Sequence, residues 1–157
     1  MSRTKIIELA SAEIGVTEMP PNSNLQKFGK WFGFDGAAWC GIFCSWAYDQ
    51  AGHSLGKMDF WKGFASVPFA YGFYSARNKL TTDPKPVDMV IYDWPGNKEK
   101  YDHVGLFEHW IDRGKGLFSA IEGNTSPTNQ SNGGSVMRRQ RDMKNVVCFV
   151  DPLNLPL

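Results

Sequence analysis

An α+β fold is predicted by a change of periodicity near the middle of the chain. Up to Pro84 the apolar residues recur at helical spacing. Beyond it come short runs rich in β-branched and aromatic residues, divided by turn-forming segments. Helices first and strands second predict N-terminal helices packed on an antiparallel sheet, with the strands forming a meander. No repeat, linker or shift in composition breaks the 157 residues, so 1–157 is expected to be a single domain.

The first helix is expected over residues 4–14, where Ile6, Ile7, Ala10 and Ile14 share a face and Gly15 supplies a stop. Pro20, Pro21, Asn22, Ser23 and Asn24 make a loop. A short helix over 25–31 closes at Gly33. The strongest helical pattern runs over 39–50: Cys40, Phe43, Cys44, Ala47 and Ala51 occupy i, i+3, i+4, i+7 and i+11, and Gly52 follows. Residues 53–66 read as irregular, and a fourth helix covers 68–78. Strands are predicted over 87–93, 102–110, 117–123, 135–140 and 146–150, with a long polar connection over 125–134.

Hydrophobic residues at 42% and charged residues at 21% are ordinary for a globular domain. Aromatic residues at 14% fit a well-packed core first and a ring-lined groove for sugar or peptide second. Seventeen Lys and Arg balance sixteen Asp and Glu, which argues against a nucleic-acid-binding protein. The basic cluster Arg138, Arg139 and Arg141 reads as a solvated strand face, with a weak hold on an anionic polymer as the other reading. Three cysteines, an odd and small number, are not a disulfide framework. The N-terminus lacks the apolar run and cleavage site of a signal peptide, and no stretch reaches the ~18 apolar residues of a membrane span.

Cys40 stands at the start of the strongest predicted helix. Free N–H groups and partial positive charge there favour a thiolate and can hold an oxyanion. Taken alone it reads more readily as a small buried hydrophobe, as most free cysteines are. Cys44, one turn on, and Cys148, in an apolar strand, read as core. A thiol nucleophile needs a base. His53 lies in a surface loop and His109 ends a strand. His103 starts that same strand, with Gly105 on its face leaving room beside the ring. On the next strand Glu122 and Asn124 are two apart and share a face. Either could accept the His103 N–H and fix its tautomer. Singly, Glu122 is an ordinary strand carboxylate and Asn124 a turn former. Trp39 and Trp46 flank the nucleophile in sequence, the first as a wall of a substrate groove, the second as core.

Four blocks then resemble, in order, the CHAP family of cysteine, histidine-dependent amidohydrolases/peptidases. They are Ala38-Trp39-Cys40-Gly41-Ile42-Phe43-Cys44-Ser45-Trp46, Pro86-Val87-Asp88-Met89-Val90-Ile91-Tyr92-Asp93, Asp102-His103-Val104-Gly105-Leu106-Phe107-Glu108 and Ile121-Glu122-Gly123-Asn124-Thr125. The resemblance implies a papain-like, NlpC/P60-like fold and hydrolysis of amide bonds in bacterial peptidoglycan, as amidase or endopeptidase. Carried over, Cys40 is the nucleophile, His103 the base, Glu122 the orienting carboxylate and Asn124 a supporting polar residue.

A phage endolysin is the biological setting this implies: made in the host cytoplasm without a signal peptide, acting on the wall after release, and lacking a separate wall-binding domain. A toxin against competing bacteria and an inactive wall-binding module are the rival readings. Peptidoglycan is the expected partner of a monomer that binds no nucleic acid and inserts in no membrane. No cofactor is expected. No metal is expected either, because the loop before Cys40 offers only Asp35 as a carboxylate. Two positions depart from the family pattern. Val87 stands where glycine is usual before Asp88, which puts that turn in doubt, and Cys44 replaces a small or aliphatic residue.

Overall fold

Helix α1 (Arg3–Ala12) buries Ile6 and Ala10 completely. It stops two residues before the predicted end. The Gly15 N–H donates to the Val136 carbonyl and the Val136 N–H to the Val16 carbonyl, so the chain leaves the helix to pair with a strand. Ile14 is left partly exposed. Helix α2 (Lys27–Phe32) starts where the Gln26 side chain accepts from the Gly29 N–H. It ends at Gly33, whose φ of 89° suits a residue without a Cβ. Helix α3 (Cys40–Gln50) carries the predicted stripe, but Ile42, Ser45 and Tyr48 are buried as well. It is a central helix with few solvated positions, packed on α1, α2 and two strands. Helix α4 (Val67–Ser75) is capped by Ser66 and has Pro68 in its first turn. It ends three residues early, where Asn78 takes a φ of 54°.

The computed structural model describes residues 3–98 and 100–153. The strands are β1 (Leu80–Thr81), which the sequence did not signal, β2 (Met89–Tyr92), β3 (His103–Asp112), β4 (Leu117–Thr125), β5 (Ser135–Arg141) and β6 (Val146–Val150). They form one antiparallel sheet in the order β1-β6-β2-β3-β4-β5. The expected meander holds for β2 to β5. The last strand then crosses back to lie between β1 and β2, which makes β2 central and buries all four of its residues. On the helix side Met89, Ile91, Val104, Leu106 and Ile121 join the main core. On the other side Val90, Tyr92, Phe107, Phe118, Ala120 and Phe149 form a second apolar cluster.

Two contacts set the helices against the sheet. Arg3, 2% exposed, donates to Asp88 at 2.5 Å and to the Pro86 carbonyl, and pairs with Asp151 at 3.0 Å. The Tyr48 hydroxyl of α3 donates to the Val87 carbonyl at 2.7 Å. Val87 itself holds the glycine-type conformation, with a φ of 70°, so the turn keeps its shape and the valine bears the strain. No helix among the described residues is long and apolar enough to cross a membrane.

Candidate active site

Cys40 is the first residue of α3. The residue before it, Trp39, makes no side-chain cap, so the N–H groups of the first turn are not taken by a capping side chain. Gly41 follows because the Phe64 ring lies on it: a Cβ there would stand 2.7 Å from a ring carbon and 3.1 Å from the Phe64 carbonyl. Ser45, one turn on, donates to the Gly41 carbonyl and accepts from the Phe64 N–H at 3.1 Å. The Asp59 carboxylate accepts from the N–H groups of Ala65 and Ser66. Together these bonds fix residues 59–66 over the start of α3. The segment read as irregular is therefore a built wall. Ala65 to Pro68, Phe34, Tyr101 and Asp102 surround a cleft of about 270 Å³ that opens on Cys40.

His103 is the first residue of β3 and is fully buried. Its Nε2 lies 2.9 Å from Glu122 Oε2, while Nδ1 is buried with no hydrogen-bond partner among the described residues and has Cys40 as its neighbour. Gly105 makes this approach possible. The room beside the ring that its missing side chain provides is filled by Glu122, whose Cγ would sit 2.5 Å from a Cβ at 105. The Tyr92 ring stacks on the imidazole at 5.7 Å. Burial alone would lower the imidazole pKa. Its interactions with Cys40 and Glu122 outweigh it and raise His103 from 6.5 to about 9. Burial would raise the Glu122 carboxyl, but Arg141 and His103 hold it at about 2. This pair is an imidazolium against a carboxylate at neutral pH.

The structure thus brings Cys40, His103 and Glu122 together, and gives the other two candidates different partners. Asn124, with a φ of 56°, turns its amide away from His103. Its Nδ2 donates to Asn132 at 3.0 Å, and its Oδ1 accepts from the Gly134 N–H at 3.1 Å. It organises the 125–134 connection. Trp39 does not wall the cleft: it is 0% exposed and stacks on Phe28, because the residue before α3 turns into the core beneath Gly123. Trp46 is half-buried against Phe28 and Phe43. Cys44 is buried, and burial pushes its thiol pKa well up; Cys148 is half-buried and raised to about 11 by the same cause. His53 is half-buried rather than a surface residue, and the His109 side chain is exposed.

Sequence reasoning missed Arg141. It is 8% exposed and lies on Glu122, with Nε 2.9 Å from Oε1 and Nη2 2.5 Å from Oε2. The Tyr92 hydroxyl donates to Oε1 at 3.0 Å. Strand parity held the missing signal. Residues 139 and 141 alternate with 138, so the three arginines cannot share one solvated face. Arg138 alone matches the solvated reading, with Glu108 as its partner.

A cysteine at a helix N-terminus, a histidine at a strand start and a glutamate on the adjoining strand define a papain-like α+β domain with a thiol site. The CHAP domain model matches residues 32–124, more than half of the chain, and the chain belongs to that family. Among solved structures it is similar to the endolysin LysIME-EF1, with a TM-score of 0.57 and 11% identity over 97% of this chain and 64% of that one. It is also similar to Ly7917, with a TM-score of 0.53 and 15% identity over 97% of this chain and 62% of that one. The chain therefore spans under two thirds of the length of either, and identities this low speak for the fold alone. No curated protein sequence matches.

Proposed function

We propose that this domain hydrolyses amide bonds in bacterial peptidoglycan, with Cys40 as nucleophile, His103 as its proton carrier and Glu122 as the orienting carboxylate. The observation that carries the reading is the buried His103, held by Glu122 at Nε2 and with Nδ1 unpaired among the described residues, next to a Cys40 that opens on a cleft. Membership of the CHAP family supports the substrate class.

The reaction is acyl transfer in two steps. The Cys40 sulfur attacks the amide carbonyl carbon, and the carbonyl π electrons move to oxygen. First-turn N–H groups of α3 stabilise that oxyanion. As the tetrahedral species collapses, the C–N bond breaks, His103 protonates the departing amine and a thioester to Cys40 remains. The now neutral His103 takes a proton from water, the hydroxide displaces the thiolate, and the acid leaves. An imidazolium at neutral pH, implied by a pKa of about 9, is the acid that the first step requires. The proton that His103 delivers is the one the Cys40 sulfur has given up by the time it attacks. A phage endolysin is the setting we favour, as the similar LysIME-EF1 is named one.

Purified peptidoglycan incubated with the wild type is expected to release soluble fragments. Their masses will distinguish amidase from endopeptidase products. Cys40→Ala and His103→Ala are expected to bind the wall and release none. Either variant digesting at the wild-type rate removes that residue from the mechanism. A wild type that binds several wall types and digests none is an inactive binding module.

A further inference from the structure

We propose that Arg141 is a positioning residue of this site: it clamps both oxygens of Glu122, so that the carboxylate can meet His103 in one orientation only. The inference rests on the catalytic reading of Cys40, His103 and Glu122. Arg141 lies outside the residues that match the family model, so the family match does not supply this role.

The geometry is a closed set of bonds. Arg141 Nε takes Oε1 and Nη2 takes Oε2, a planar two-pronged grip that a lysine cannot reproduce. Tyr92 takes a second lone pair of Oε1, and His103 a second one of Oε2. Arg141 is itself held. Its Nη1 donates to Gln130 at 2.5 Å, and its guanidinium lies 4.9 Å from the Trp94 ring centroid. Trp94 in turn stacks on Tyr92, and Tyr92 on His103. Without the arginine, Glu122 loses its two-pronged partner and can rotate about its own side chain.

Charge acts alongside shape. Glu122 shares its negative charge among Arg141, His103 and the nearby Arg139, so His103 receives part of it. Facing His103 are Cys40, Glu122 and Tyr92, with Tyr101 and Asp102 preceding it on the chain. Facing Arg141 are Glu122 and Tyr92, with Arg139 as the neighbouring cation. Removing the Arg141 charge leaves only the more distant Arg139 to compete with His103 for the carboxylate, and the imidazolium then persists to higher pH.

The test uses the full chain with ¹⁵N-labelled histidine as wild type, Arg141→Met and Arg141→Lys. It reads His103 titration by NMR, and kcat and KM on purified peptidoglycan. Arg141→Met is expected to lower kcat about tenfold at unchanged KM and to move the His103 midpoint up by about one unit. Arg141→Lys is expected to keep the wild-type midpoint and recover only part of kcat. Wild-type kcat in Arg141→Met, or an unmoved midpoint, overturns the proposal. Should Arg141→Met not fold, Arg141→Lys decides: reduced kcat at unchanged KM supports the clamp, and wild-type kcat overturns it. A wild type that digests no wall sinks the functional reading instead, and the NMR titration alone then decides for or against Arg141.

Discussion

His103 is where opposed effects meet most sharply. A fully buried imidazole should resist its second proton, yet a carboxylate and a thiol within reach reverse the sign. Because its folded pKa is raised from 6.5 to about 9, its contribution to stability is complete below 6.5 and is lost as pH rises through about 9. Glu122 has the opposite sign. Its pKa is lowered from 4.5 to about 2, so its contribution is complete above 4.5 and is lost as pH falls towards 2. Thermal unfolding across pH is therefore expected to show a plateau bounded on both sides, and His103→Gln should flatten the alkaline side. An alkaline side unchanged in that variant would mean that His103 does not titrate as described. Glu122→Gln should slow turnover by up to about ten-thousand-fold without ending it, because the amide still accepts from His103 but leaves Arg141 without a counter-charge. Full activity in Glu122→Gln would remove the carboxylate from the mechanism.

At the scale of elements, α3 shows what periodicity reveals and what it hides. The stripe from Cys40 to Ala51 was legible, as was the placing of Cys40 at a helix start. That Ile42, Ser45 and Tyr48 are also buried was not, because it depends on what packs against the far side. The wall over residues 59–66 is fixed by Asp59 within it and by Gly41 and Ser45 on the first turns of α3, and no periodic pattern announces that meeting. Gly41→Ala would push a methyl group into Phe64. It is expected to cost about 1–3 kcal/mol in denaturant unfolding and to lower activity through the cleft wall. A neutral Gly41→Ala would show that Phe64 moves aside freely. The turn before β2 sets two magnitudes against each other. Relieving the left-handed valine gains about 1–2 kcal/mol, and losing its buried side chain costs about 1.5–3. Val87→Gly is thus expected to lose no more than about 2 kcal/mol, whereas Val90→Gly, equally buried in extended β2, should lose about 3 or more. Equal losses would mean that Val87 is unstrained.

Over the whole molecule, the order of helices and strands and the family blocks made the fold class readable, and with it the meeting of Cys40, His103 and Glu122. The return of β6 to the middle of the sheet was not readable, since an apolar strand of five residues does not say which neighbours it takes. Nor were the long-range ion pairs. Arg3 and Asp88 are separated by most of the helical half, and Arg141 and Glu122 by a polar connection that looks like a plain loop. Arg3→Met is expected to lower stability by about 3–5 kcal/mol in chemical denaturation, because Asp88 keeps a buried charge without its main partner. A loss under about 1 kcal/mol would show that α1 is not pinned through this pair. The same long-range order sets the site, because the nucleophile comes from a helix of the first half and its two partners from strands of the second. The central claim, a covalent intermediate on Cys40, is tested most directly by mixing enzyme with peptidoglycan fragments, quenching in acid within the first turnovers and sequencing the cysteine peptides by mass spectrometry. A thioester-linked acyl group is expected on Cys40 and none on Cys44 or Cys148. Turnover with no acylated cysteine, or with the acyl group on Cys44 or Cys148, would contradict it.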